Sequence, residues 1–130
     1  MGYVTVLVAA AAAFALGAVW YMALRDPWVK ASGIETDDTG GPKNASPMPF
    51  VITAICLILV AGMMRHIFAQ AGIDTAGKGM TSGLGVGLFL ISPWIAINNA
   101  YGMRPLTLTI IDGGYATAGC TLMGLVLTIL

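Results

Sequence analysis

Asp112 is the residue whose type and setting could do chemistry, because it is an acid six residues into an otherwise uncharged apolar run, Leu106 to Leu130. An acid inside hydrocarbon is costly unless it is paired, protonated or wetted. Two roles suit it. It can be a buried packing acid, hydrogen-bonded to Asn98 or Asn99 and compensated by Arg104. It can instead be a desolvated carboxylate that exchanges a proton or a cation. A headgroup-binding notch, or an acid that simply reaches the interface, is a further reading. The residues expected at its depth are Asn98, Asn99 and Arg104, together with Trp20, Tyr21 and Arg25, and Tyr115 joins the same candidate cluster. Arg65 is the other charge inside an apolar run. Counting ~1.5 Å of rise per residue, it lies roughly 24 Å from the side on which Asp112 is about 9 Å deep, so no direct ion pair between them is expected. Next to it, His66 follows Gly62 by four residues. Helical side chains lean toward the N-terminus, so a flat ring ligated by His66 could lie over Gly62, as a haem or chlorophyll-type pigment would. A single histidine near a helix end is more commonly an interfacial polar residue, and no cofactor is expected.

Four apolar runs must position these groups: residues 3–24, 49–70, 80–100 and 106–130. Each supplies the ~20 residues that cross ~30 Å of hydrocarbon as a helix. Only 9% of the 130 residues are charged, far below the quarter usual in soluble domains. Backbone amides cannot stay unpaired in lipid, and uninterrupted runs without alternation select helices over a barrel. The expected fold is an all-α membrane protein, a single domain of four transmembrane helices with both termini on the same side. The first run is expected to be retained rather than cleaved as a signal peptide. It has no basic residues before it and ends in Val19-Trp20-Tyr21-Met22 where cleavage needs small side chains.

Small residues mark the packing faces. Gly17 follows an alanine run in helix 1, Gly83 and Gly87 share a face of helix 3, and Gly113 and Gly114 lie in helix 4. Packing within the bundle is the expected use of Gly83 and Gly87, with dimerisation as the competing one. Trp20, Tyr21, Arg25, Trp28 and Trp94 read as interface anchors, Pro27 as a terminator of helix 1, and Pro93 as a kink in helix 3. The linker 26–48 carries Glu35, Asp37, Asp38 and a cluster of Gly and Pro, a composition expected to lack a stable fold of its own. Cys56 and Cys120 read as small apolar packing residues rather than a disulfide. Asn44-Ala45-Ser46 is a sequon by pattern only, relevant only in a glycosylating compartment.

Most enzymatic chemistry finds no footing in this sequence. No metal-spaced His/Cys/carboxylate set, phosphate-cradling loop or Ser-His-acid set occurs, and the candidate acid and base lie at opposite membrane faces. The net charge of zero offers nothing to nucleic acid. Arg25, Lys30, Lys43 and Arg104 fall in the first and third connections, against Lys78 and the helix-end Arg65 on the other side. The positive-inside rule then places loops 26–48 and 101–105 in the cytoplasm and the termini outside, in the periplasm for a bacterial inner membrane. A weak echo of aromatic residues followed by Arg and Pro, Arg25-Asp26-Pro27 and Arg104-Pro105, closes both halves, although interfaces recruit those residues anyway.

The segment Val8 to Trp28, with Leu16-Gly17-Ala18-Val19-Trp20-Tyr21 and a later Trp28-Val29-Lys30, resembles the opening of the small bacterial membrane proteins catalogued as domain of unknown function 1761. The stretch Asn98 to Leu106, followed by Ile111-Asp112-Gly113-Gly114-Tyr115, resembles that family's closing signature. The resemblance covers nearly the whole chain and implies a four-helix bundle without assigned activity. The family often carries Asn where this chain has Asp112, which implies a hydrogen-bonding anchor that either residue can supply. The expected function is a non-enzymatic structural or interaction component, self-associating or an accessory subunit of a larger membrane complex such as a respiratory or photosynthetic one. Its expected partners are membrane lipids, other membrane subunits or itself. The alternative is a small oligomeric transporter or channel using Asp112.

Overall fold

The computed structural model describes residues 2–39, 41–43 and 46–130. Gly40 of the linker, and Asn44 and Ala45 of the sequon pattern, lie outside the described residues. Among the described residues the regular elements are all helical: α1 (Tyr3–Ala23), α2 (Arg25–Ser32), α3 (Met48–Ala71), α4 (Ala76–Gly85), a π-helical segment (Val86–Ile91), α5 (Ser92–Tyr101) and α6 (Leu106–Ile129). Among the described residues four spans are long and apolar enough to cross a membrane: α1, α3, the continuous helix Ala76–Tyr101 and α6.

The third span starts four residues earlier than its hydropathy predicts. Thr75 caps it by accepting the Lys78 amide at 3.3 Å on its hydroxyl, so Gly79 belongs to the helix rather than to the turn before it. α3 stops at Ala71 because Gly72 takes a left-handed φ of +72°. The Ile73 amide then reaches back to the Phe68 carbonyl at 2.9 Å. Pro93 distorts the third span upstream of itself. It lacks the N–H that would continue the ladder and its ring crowds the preceding turn. The helix widens into the π segment just before it, and the Ser92 hydroxyl donates to the Gly87 carbonyl at 2.7 Å.

The linker holds more structure than its composition suggests. Leu24 interrupts α1, but Pro27 sits in the first turn of α2, where its missing donor costs nothing, and the chain stays helical to Ser32. Beyond it, the Asp37 amide bonds the Gly41 carbonyl and the Lys43 amide bonds the Glu35 carbonyl, closing a small turn. The exposed Lys43–Glu35 ion pair, 3.8 Å apart, adds little. Inside the turn, the Asp37 carboxylate accepts the Thr39 hydroxyl at 2.6 Å and the amides of Thr39 and Gly41 at 2.9 and 3.1 Å. Thr39, first through its hydroxyl and then its amide, holds the Asp37 carboxyl below the usual carboxylate range, with help from the Gly41 amide and the Arg25 charge. A depressed folded pKa contributes stability above the unfolded value of about 4, lost as pH falls through the folded value. Amide protection at Thr39 and Gly41, corrected for intrinsic exchange, is therefore expected to fall on acidification below about pH 4. Asp37→Asn should abolish that pH dependence, and a pH-independent wild type would refute this account of the turn.

α6 is the axis of the molecule. A third of its apolar window is buried (33%), against 11% in the second and third spans. The third span packs on α6, α3 packs on α1, and α1 packs on α6, with only a small contact between α3 and α6. Among the described residues no comparable packing joins α3 to the third span, so the four spans form an open arrangement rather than a closed ring, with the third span on one side of α6 and α1 and α3 on the other. The core lies where α1, α3 and α6 meet, around Val6, Ala9, Ala13, Ala61, Met64, Phe68, Cys120 and Met123.

Candidate functional site

Two stripes on α6 sort the bundle. Gly113, Thr117, Cys120 and Gly124 recur at spacings of three and four and face the third span. A Cβ on Gly79 would overlap the Gly124 carbonyl, one on Gly83 the Cys120 carbonyl, and one on Gly87 the backbone of Ala116 and Thr117. Gly83 and Gly87 thus work within the bundle, and Gly79 extends their series by one turn. The regular four-residue repeat of glycine carried that signal, but placing Gly79 in the preceding turn concealed it. At the lower end of this seam the Ser92 hydroxyl lies 2.9 Å from the Gly113 carbonyl and 3.3 Å from the Thr117 hydroxyl.

The second stripe begins with Asp112 and Tyr115 and faces α1. Asp112 Oδ1 accepts the Tyr21 hydroxyl at 2.7 Å and the Trp28 indole N–H at 3.1 Å. Trp20 donates its own indole N–H to the Ile111 carbonyl at 3.0 Å, and Tyr115 donates to the Ala13 carbonyl at 2.7 Å. Two aromatic rings are exchanged across the seam, each lying on the other helix's glycine. A Cβ on Gly17 would come 2.8 Å from the Tyr115 oxygen, and one on Gly114 would come 2.9 Å from the Trp20 ring. Tyr21 stacks edge-on with Tyr115 and Trp28, at centroid separations of 5.4 and 6.0 Å.

Among the residues singled out from sequence, Tyr21 therefore meets Asp112, whereas Asn98, Asn99 and Arg104 do not. The reason is helical phase: neighbouring residues on α6 point about 100° apart, and the turn from α5 returns on the face of Gly113, not that of Asp112. Asn99 is buried and donates to the Thr109 hydroxyl at 3.0 Å, tying the turn to α6. Asn98 and Arg104 are exposed, although the Arg104 amide bonds the Asn99 carbonyl at 2.9 Å. Trp20, Tyr21 and Trp28, read as interface anchors, also turn their polar atoms inward onto α6, whereas Trp94 is exposed. Arg25 reaches the Thr39 carbonyl at 3.2 Å and so steadies the linker turn. Trp28 as the second donor to Asp112 was not foreseen, because α2 itself was not.

At the opposite end His66 is exposed, and Val6 Cγ1 lies 4.0 Å from where a side chain on Gly62 would begin. Helix 1 thus borders the space in which a macrocycle would have to sit. Arg65 places its guanidinium 5.9 Å from the centroid of Tyr3. Cys56 is exposed, Cys120 is buried, and both are free. Among the described residues no three His, Cys, Asp or Glu side chains gather as a metal site would require.

The Asp112 arrangement acts as a clasp. The carboxylate only accepts, and its two bonds come from α1 and α2, so one acid fixes both elements against α6. The second carboxylate oxygen accepts no hydrogen bond among the described residues. The side-chain carbonyl of an asparagine could take the same two donors.

Fold and seam together define a multi-pass helical membrane protein built around its last span. The sequence pattern of a family described as "Protein of unknown function (DUF1761)" matches residues 4–128, nearly the whole chain, and the protein belongs to that family. No curated protein and no solved structure matches the chain significantly.

Proposed function

We propose that this protein is a non-enzymatic structural or interaction component of the membrane, either self-associating or an accessory subunit of a larger membrane complex. The observation that carries this reading is the open arrangement of spans. α3 packs against α1 and the core side of α6, the third span packs against α6, and their other faces present large apolar side chains: Ile55, Leu59 and Met63 on α3, and Phe89 and Leu90 on the third span. Helices associate in lipid through packing and small residues rather than through a hydrophobic drive. Large apolar side chains suit lipid and other helices alike, so what favours association is that, among the described residues, no helix of this chain packs against either flank. The clasp at Asp112 supports the same reading, since both of its hydrogen bonds hold helices together.

Its location in this reading is the bacterial inner membrane, with the loops at 26–48 and 101–105 cytoplasmic and the termini periplasmic, as the distribution of Arg25, Lys30, Lys43 and Arg104 favours. Extraction of native membrane directly into lipid nanodiscs tests the function. Particles are expected to contain further copies of this chain or a second membrane protein.

A further inference from the structure

We propose a binding site for a zwitterionic phospholipid headgroup of the phosphoethanolamine class at the end of the bundle opposite Asp112. A notch of about 270 Å³ opens there between the C-terminal ends of α3 and α6, lined by Arg65, Phe68, Ile73, Asp74, Leu127 and Thr128 among others. Its charged side chains are one cation, Arg65, and one anion, Asp74, and Leu130 also lines it. Arg65 is half-buried and, among the described residues, forms no ion pair, and Asp74 is exposed and forms none either. The guanidinium stacks near the Tyr3 ring, which orients it without neutralising it. Phe68, Ile73 and Leu127 make the remaining wall apolar.

This pattern matches one ligand chemistry in both charge and depth. Arg65 lies within a membrane span, one to two turns before α3 ends, at the level where an arginine reaches a phospholipid phosphate. Asp74 follows in the turn outside the span, where a headgroup amine would lie. The phosphate takes Arg65, the ammonium takes Asp74, and the glycerol with the first methylenes lies along Phe68 and Leu127. A phosphatidylglycerol headgroup would put the same phosphate on Arg65 but only neutral hydroxyls opposite Asp74, which can donate hydrogen bonds yet leave that carboxylate without a matching charge. A choline headgroup would present methyl groups in place of the N–H donors. The site does not depend on the proposed subunit role, because it uses no residue of either open flank.

The test uses the full-length purified protein and native mass spectrometry from micelles containing equal amounts of phosphatidylethanolamine, phosphatidylglycerol and phosphatidylcholine. The wild type is expected to retain phosphatidylethanolamine over the other two by up to about fivefold, the range of a partly exposed ion pair. Asp74→Asn should remove that preference and raise phosphatidylglycerol relative to phosphatidylethanolamine, and Arg65→Gln should reduce retention of both. Circular dichroism confirms that each variant remains folded. Equal retention of the three lipids by the wild type, or an unchanged selectivity in folded Asp74→Asn, would overturn the proposal.

Discussion

Replacing Gly83 by valine is expected to cost about 3 kcal/mol and to pull the third span away from α6, the largest effect of any single substitution considered. The Gly83 Cα faces the α6 backbone at Cys120, and a Cβ there would overlap a carbonyl oxygen, which no rotamer change can clear. The helices must separate, and the contacts at Gly79 and Gly87 loosen with them because all three glycines lie on one stripe. Gly85→Ala supplies the control. Its Cβ would meet nothing within 4 Å, so it should be neutral or slightly stabilising through helix propensity. Reversible unfolding in mixed micelles measures both. Equal stability of Gly83→Val and Gly85→Ala would show that the seam is not closely packed.

Asp112→Ala is expected to cost about 2 kcal/mol, because it leaves the Tyr21 hydroxyl and the Trp28 indole N–H without their acceptor. The loss should free α2 before it unfolds the bundle. Trp28 fluorescence in a Trp20→Phe, Trp94→Phe background should shift red as its indole meets water. Asp112→Asn should keep both bonds through its side-chain carbonyl and cost less than about 1 kcal/mol. The same pair of variants separates the clasp from the competing view of Asp112 as a coupling carboxylate. Any proton or cation flux measured in proteoliposomes is expected to be the same in Asp112→Asn as in the wild type. Abolition of such a flux by Asp112→Asn, with stability intact, would favour a carrier.

The membrane spans were legible because charge is excluded from hydrocarbon, and the twelve charged residues left gaps of the right length. The packing glycines were legible for a related reason: Gly17, Gly83, Gly87, Gly113 and Gly114 all lie where another element closes on them. Depth along the axis could also be counted, which put Tyr21 and Trp20 at the level of Asp112. Azimuth could not be counted. Which of several residues at one depth faces the acid depends on how α6 is rotated between its neighbours, and that separated Tyr21 from Asn98 and Asn99. The other misreadings arose where a short-range cue was outweighed by context. Pro27 terminates a helix in isolation, yet starts one when a break at Leu24 precedes it. The polar linker contained a ready turn, because Asp37 with Thr39 two residues on can close on itself.

What the molecule offers other helices is set by the open arrangement of its spans: α6 and α1 hold the middle, while α3 and the third span leave apolar faces outward. The measurement that tests this most directly is the protein mass of the particle obtained when native membrane is excised into lipid nanodiscs without detergent. A mass that includes at least a second copy of this chain or another membrane protein is the predicted result. A particle containing a single copy of this chain, with lipid covering both flanks, would contradict it.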